Sequence, residues 1–432
     1  MPETKKDKER VVLIAVDPDS GTEAEASLDE LERLADTAGA ETVGKMIQKR
    51  SVPHPSTYIG KGKLEELKEF CGANDVDTVI ADDELTGSQT KELESVLDVK
   101  VIDRTTLILD IFAMRARSAE GRLQIELAQL NYRLPRLSGM GKALSRLGGG
   151  IGTRGPGESK LETDRRHIRR RIFAIEEQLR QVSDRRKVTR RLRGKNSVPT
   201  CALVGYTNAG KSSLMNALCG SDVYAEDQLF ATLDTTVRKA NFSDIDETCR
   251  DVLLIDTVGF IRKLPHALVD AFKSTLEESV NADILLHVVD ISDPEAEKHI
   301  MVVEQILSEL GAADKPIFLV CNKFDAYNPP EDEPGFIPVQ QRQKKPHVFN
   351  VSAKTGYGLT ELKKAIALRF SRQKVYSLLI PYTEGALLDE IHRNSSVLYV
   401  EHTPEGTLIT IKADFDPEFR SKIEQYSTKI EP

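Results

Sequence analysis

The chain of 432 residues has 60 Lys and Arg against 68 Asp and Glu, a net charge of −8, with 40% apolar and 30% charged residues. It is long enough for roughly two to four domains with cores of their own, and no apolar run approaches the roughly 18 residues that a membrane span needs. Five scattered cysteines without a CxxC pair argue against a disulfide framework or a zinc site, and no secretory pattern is present, so a cytoplasmic protein without stable membrane association is expected. In chain order, β-branched runs at 11–16, 42–48, 77–81 and 100–102 predict strands, and 28–38, 63–71 and 88–97 predict helices between them. Strands alternating with helices imply crossovers and a parallel sheet, so residues 1–118 read as a small N-terminal α/β domain.

The next segment changes period. Leu123, Leu127, Leu130, Leu134 and Leu137 recur at spacings of 4, 3, 4 and 3, and Ile168, Ile172, Ile175, Leu179 and Val182 repeat them. Two heptad-like stripes predict an antiparallel helical hairpin over 119–196, its second helix near 161–192, with a glycine-rich cationic tip at 138–160. Residues 142–195 hold 17 Lys or Arg against 6 Asp or Glu, a local charge of +11 that leaves −19 for the rest. A solvated helix face usually mixes signs, so this asymmetry points to a polyanion. Arg146, Arg154, Lys160, Arg165, Arg166, Arg169 and Arg170 are candidate RNA contacts, made to backbone and shape since no aromatic interleaving is read; a merely solvated coiled-coil face is the bland alternative.

Residues 197–371 alternate strand and helix again, with buried-strand runs at 201–204, 252–255, 284–289, 317–321 and 347–351. Residues 327–346, rich in Pro, Glu and Gln, predict a surface insertion. The tail, 372–432, has strand candidates at 397–401 and 408–412 flanked by helical stretches, a small α+β unit.

Four motifs lie in the third segment: GYTNAGKS (205–212), DTVG (256–259), NKFD (322–325) and SAK (352–354), with 51, 66 and 30 residues between their first positions. A triphosphate needs many donors in a tight space. In the first motif a strand ends, backbone N–H groups wrap a phosphate and a helix begins beneath it. Gly205, Tyr206, Thr207, Asn208, Ala209, Gly210, Lys211, Ser212 and Ser213 are therefore assigned to the nucleotide, Lys211 to the β- and γ-phosphates and the Ser212 hydroxyl to Mg²⁺. Asp256 closes an apolar strand and supports Mg²⁺ directly or through water, and the Gly259 N–H suits the γ-phosphate. Asp325 can accept from guanine N1 and the 2-amino group, donors that adenine lacks, so GTP is the expected substrate. Asn322 and Lys323 line the base, and Ser352, Ala353 and Lys354 complete its pocket, the Ala353 N–H suiting guanine O6. Phe260 stands where many GTPases carry a water-orienting glutamine, so hydrolysis should be slow until something else positions the water. Asn208 either helps hold K⁺ beside the phosphates or simply forms the turn. Thr232, Thr235 and Thr236 are all candidates for the switch threonine that senses Mg²⁺.

The combination resembles the HflX family of translational GTPases, on the stretch GGGIGTRGPGESKLETDRRHIRRRI (148–172), the P-loop GYTNAGKSSLMNAL (205–218), LFATLDTT (229–236) and IDTVGFIRKLPHALVDAFKSTLEE (255–278), with STYIGKGK (56–63) also similar. The resemblance covers about residues 10–370. It implies an α/β P-loop GTPase domain beside the other three units, and a ribosome-associated factor that binds the large subunit, through ribosomal RNA and proteins, and helps split or rescue idle ribosomes under stress. It also assigns the switch role, with Mg²⁺, to Thr236, making Lys211, Thr236 and Gly259 the residues expected to act in hydrolysis. Thr235 departs from the proline many members carry, which loosens the switch backbone. A GTP-timed switch that docks a protein partner remains the rival reading, and an RNA-modifying GTPase is disfavoured by the want of a second catalytic site. A monomer is expected.

Overall fold

The computed structural model describes residues 8–18, 23–144, 156–193, 198–220, 230, 236–243, 245, 251–263, 281–328, 347–370, 374–413, 415 and 417–427. The first layer is a four-stranded sheet built from β1 (Arg10–Asp17), β2 (Glu41–Lys49), β3 (Thr78–Ala81) and β4 (Lys100–Asp103), all parallel, in the order β2-β1-β3-β4. Helices α1 (Glu23–Thr37), α2 (Lys61–Ala73) and α3 (Gly87–Leu97) make the crossovers. Thr86 and Gln89 form a capping box at the start of α3, which satisfies two of the donors a helix start leaves open.

A further helix, α4 (Arg104–Arg115), follows β4 and was not anticipated from the pattern. Its Leu107, Ile108, Leu109, Ile111 and Phe112 are all buried, so apolar residues fill most positions and no amphipathic period shows. Helix α5 (Ala119–Leu144) and helix α6 (Pro156–Arg193) form the hairpin. Both run further into the glycine-rich stretch than its composition suggested, and Arg146 and Arg154 lie outside the described residues. On α6 the stripe Ile168, Ile172, Ile175, Leu179 and Val182 is the sheltered one, with Ile175 fully buried. On α5 the leucine stripe is only half-buried, and a second face, Ile125, Ala128 and Tyr132, is buried in one cluster with Leu107 and Phe112 of α4. The helix thus has two partners, α6 on one side and the N-terminal layer on the other. Arg171 clamps Glu126 of α5 through two bonds, 2.6 and 2.8 Å.

The third layer is a six-stranded sheet of β5 (Thr200–Gly205), β6 (Thr236–Ala240), β7 (Val252–Asp256), β8 (Ile284–Asp290), β9 (Ile317–Asn322) and β10 (Val348–Asn350), ordered β10-β9-β8-β5-β7-β6. Only β6 runs antiparallel, and it too was not anticipated, because its residues alternate between half-exposed and exposed until Ala240. Helices α7 (Lys211–Cys219), α8 (Ala296–Glu309) and α9 (Leu359–Phe370) pack on this sheet. The tail forms an antiparallel sheet, β11-β13-β12, from β11 (Lys374–Ile380), β12 (Ser396–Thr403) and β13 (Gly406–Ala413), covered by α10 (Gly385–Asn394) and α11 (Pro417–Glu424). Strand β11 is the third strand there, missing from the sequence reading. Residues 329–346 of the expected insertion lie outside the described residues.

The N-terminal layer and the third layer share one apolar core. Buried Leu109 and Phe112 belong to the same cluster as Val204, Tyr206, Phe230 and Phe260, and the Phe112 and Phe230 rings meet edge to face at 4.6 Å. Beside this contact lies a buried ionic network. Arg104, 1% exposed, donates to Glu30 and Asp82 at 2.8 Å each and to the Ser27 carbonyl at 2.8 Å. Desolvation works against the Asp82 carboxylate, but Arg104 and Lys263 outweigh it and hold its pKa below the usual value. Removing one partner of such a set strands the other charges in a dry site. Arg104→Ala is therefore expected to cost about 3–5 kcal/mol, read as a fall in the denaturation midpoint of the whole chain.

Candidate nucleotide site

The four motifs converge at the carboxyl ends of β5, β7, β9 and β10, where open α/β sheets place their ligands. Strand β5 ends at Gly205, the loop turns through Asn208 at φ +59° and Gly210 at φ +87°, and α7 starts at Lys211. Only glycine fits at 210: the backbone is left-handed, and a Cβ there would lie 2.3 Å from Asn322 Nδ2. That amide instead donates to the Ala209 carbonyl at 2.9 Å, so Asn322, itself buried, ties the NKFD motif to the phosphate loop.

Lys211 is buried and donates to the carbonyls of Gly205 (3.2 Å) and Tyr206 (2.8 Å). Desolvation pulls its pKa down to about 8, and Asp256 opposes the shift only in part. A buried ammonium so weakly compensated is poised for an anionic ligand. Ser212 Oγ donates to Asp256 Oδ2 at 2.6 Å. A hydroxyl and a carboxylate oxygen together beside the phosphate loop are hard oxygen donors of the kind Mg²⁺ takes, and they fit that ion. Among the described residues no group of three or more His, Cys, Asp or Glu side chains offers another metal site. Thr236 opens β6 directly opposite Asp256 in the strand register, half-buried; residues 231–235 lie outside the described set.

Gly259 is pressed against the phosphate loop, where a Cβ would meet Thr207 Cα at 2.7 Å and Lys211 Nζ at 2.9 Å. Phe260 follows, 2% exposed, and its backbone brackets the loop: its N–H donates to the Gly205 carbonyl (3.1 Å) and its carbonyl accepts from Thr207 N–H (2.7 Å). The aromatic ring is core, with nothing to orient a water.

At the base end, Asp325 is exposed and its Oδ1 accepts from Ser352 Oγ at 2.6 Å, which lowers its pKa. Ser352 is wholly buried, so it fixes the carboxylate's direction. Lys323, at φ +61°, ion-pairs with Asp290 at 2.7 Å. The Ala353 N–H, which sequence reasoning directed at guanine O6, donates here to Asn322 Oδ1 at 3.0 Å, and Lys354 is exposed. Ser213 is half-buried in the first turn of α7.

Tyr206 departs most from expectation. Its side chain turns away from the phosphate loop, stacks on His299 of α8 at 3.8 Å between centroids, and donates its hydroxyl to Glu30 of α1. The same hydroxyl accepts from the Arg262 N–H at 2.7 Å. Glu30, Arg262, Lys263 and His299 were missed in the sequence because no motif links partners so far apart in the chain.

On the hairpin, Arg166, Arg169 and Arg170 are exposed on α6 and Arg165 is half-buried, while Lys160 lies on the helix's first turns. Phe173, 69% exposed, sits three and four residues beyond Arg170 and Arg169, so an aromatic does stand among the arginines, contrary to the sequence reading.

Residues 25–113 match a family described as GTP-binding GTPase N-terminal, 115–193 one described as GTP-binding GTPase middle region, and 200–323 one described as 50S ribosome-binding GTPase. The chain is 50% identical to GTPase HflX of Caldanaerobacter subterraneus subsp. tengcongensis over 427 residues, covering 99% of this chain and 95% of that protein. It is 44% identical to GTPase HflX of Escherichia coli K12 over 371 residues, 86% of this chain and 85% of that one. A crystal structure of a GTP-binding protein from the hyperthermophilic archaeon Sulfolobus solfataricus, in complex with GDP, aligns at TM-score 0.45 and 25% identity over 84% of this chain and 100% of that one.

Proposed function

This chain belongs to the HflX family of GTPases, and on that premise we propose that it binds the large ribosomal subunit and uses GTP hydrolysis to time the splitting or rescue of idle ribosomes under stress. Binding and hydrolysis of GTP come with the family, as does a general need for Mg²⁺. In our reading the backbone of the 205–213 loop and Lys211 hold the phosphates, Ser212 and Asp256 hold Mg²⁺ with Thr236 joining in the GTP state, and Gly259 meets the γ-phosphate. Bound Mg²⁺ would neutralise charge on the β- and γ-phosphates. Asp325, aimed by Ser352, reads guanine, with Asn322, Lys323 and the 352–354 loop around it, and Asn208 is offered as a K⁺ ligand.

The observation that carries the ribosomal reading is the long basic helix α6, whose exposed Arg166, Arg169 and Arg170 project from a chain that is acidic elsewhere. Arginine forks suit RNA phosphates. Phe260, buried and apolar, supports an outside contribution to the attacking water. The test is GTP turnover with and without purified large subunits, in potassium buffer at moderate salt. Stimulation of about tenfold or more, lost as salt rises, is expected. Equal turnover in both conditions would remove the ribosome as activator and favour the protein-partner switch. Reversal of Arg165, Arg166, Arg169 and Arg170 to Glu is expected to abolish binding to the subunit while leaving turnover of the free protein unchanged.

A further inference from the structure

Among the described residues the most exposed large apolar side chain is Phe173, at 69%, and it stands inside the basic stretch of α6. The sheltered stripe of that helix, Ile168, Ile172, Ile175 and Leu179, lies elsewhere: at about 100° per residue it is centred about 130° around the helix from Phe173. Packing within the hairpin therefore does not account for the ring. Helix propensity does not either, since phenylalanine ranks below the arginine, lysine and glutamate that suit a solvated position.

The same geometry gathers Arg166, Arg169, Arg170 and Phe173 within an arc of about 100° and about 10 Å of helix. Among the described residues, Arg166, Arg169 and Arg170 make no hydrogen bond or ion pair through their side chains. Their neighbours differ: Arg171 is clamped by Glu126 at 2.6 and 2.8 Å, and Arg180 is held by Glu177 at 2.9 Å. Glu177, one turn beyond Phe173, is thus already taken up. The face leaves one aromatic ring and three uncompensated guanidinium groups to solvent. Its occupant must bring a flat apolar surface with negative charge close beside it. A protein partner would present a wider apolar patch and would have to bury three unpaired cations. A nucleotide whose base is unpaired has both features, a π-face for the phenyl ring and phosphates for the arginine forks.

We propose that Phe173, flanked by Arg166, Arg169 and Arg170, is a stacking platform for an unpaired base of RNA. The ring takes the base and the guanidinium groups take the neighbouring phosphates. A base stacked inside a duplex cannot reach the ring, so single strands, loops and bulges are preferred, with little discrimination among the four bases. The proposal rests on the reading of α6 as an RNA-binding helix given above and adds to it the class of RNA.

The test is fluorescence anisotropy on the full chain with three labelled RNA probes of about twelve nucleotides: a single strand, a duplex, and a single strand made abasic. Phe173→Ala, Phe173→Leu and Phe173→Tyr are compared with the parent, each expected to melt with it because the side chain lies in solvent. Phe173→Ala should weaken binding of the single strand by about tenfold, Phe173→Leu nearly as much and Phe173→Tyr little. The duplex and the abasic strand should lose less than about twofold, and the salt dependence should not change, since no charge is removed. Undiminished binding of the single strand by Phe173→Ala would overturn the platform, as would an equal loss for all three probes. Full retention by Phe173→Leu would also overturn it, since that is an apolar contact of the kind a protein makes. Reversal of Arg165, Arg166, Arg169 and Arg170 to Glu, run in parallel, separates the two levels. If that variant binds RNA as the parent does, the RNA reading of α6 fails and the platform fails with it. If it loses RNA while Phe173→Ala does not, the RNA reading stands and only the platform falls.

Discussion

Lys211→Met is expected to lower GTP turnover by about 10²–10³-fold while leaving the melting temperature of the nucleotide-free protein unchanged or raised. The two halves of this expectation have one cause. The Lys211 ammonium is buried against carbonyls, with its pKa drawn down to about 8 by desolvation, which Asp256 only partly offsets. In the nucleotide-free fold that charge is a cost, and an apolar side chain of similar length relieves it. When phosphates arrive the same charge is expected to compensate theirs. Turnover assays set beside thermal melts, without nucleotide and with GDP, check both halves. A large fall in melting temperature without nucleotide would show that Lys211 holds the fold together rather than waiting for an anion.

The second large effect is expected at Asp325. Asp325→Asn should weaken GTP binding roughly a hundredfold and improve binding of xanthosine triphosphate. The carboxylate has one oxygen held by Ser352 and faces solvent, so it is aimed and acceptor-only. Guanine presents two donors to such a group. An asparagine offers one oxygen and a pair of N–H donors, which mismatches the guanine 2-amino group and matches the 2-oxo group of xanthine. Competition binding with GTP, GDP, ATP and xanthosine triphosphate checks the order. Equal loss for guanine and xanthine nucleotides would mean that the substitution damages the pocket instead of changing what it reads.

The hairpin and its neighbours show where sequence periodicity stops informing. The stripe of α6 was legible because one face of that helix is sheltered and the rest is wet. The neighbouring α5 also carries a legible leucine stripe, yet its more deeply buried face is the one formed by Ile125, Ala128 and Tyr132. A helix sandwiched between two partners has two apolar faces, and a single-period reading finds only the more regular one. Helix α4 was hidden for a related reason, since burial on most sides leaves no polar face to mark the period. Strand β6 escaped because it is an edge strand whose side chains are largely solvated.

The sequence alone was enough to name the family and to point to the phosphate loop, a candidate base-reading carboxylate and the basic stretch, because each lies in a short contiguous run and one backbone turn with a few side chains is enough to cradle a phosphate or face a base. What only the tertiary structure decided is direction and partnership. Tyr206 belongs to the phosphate loop by sequence but gives its side chain to Glu30, 176 residues away, and Lys263 reaches Asp82, 181 residues away. Contacts over such separations leave no periodic trace, because they depend on how two sheets pack, and that packing is determined by the shared core of Phe112, Phe230 and Phe260 rather than by any one segment.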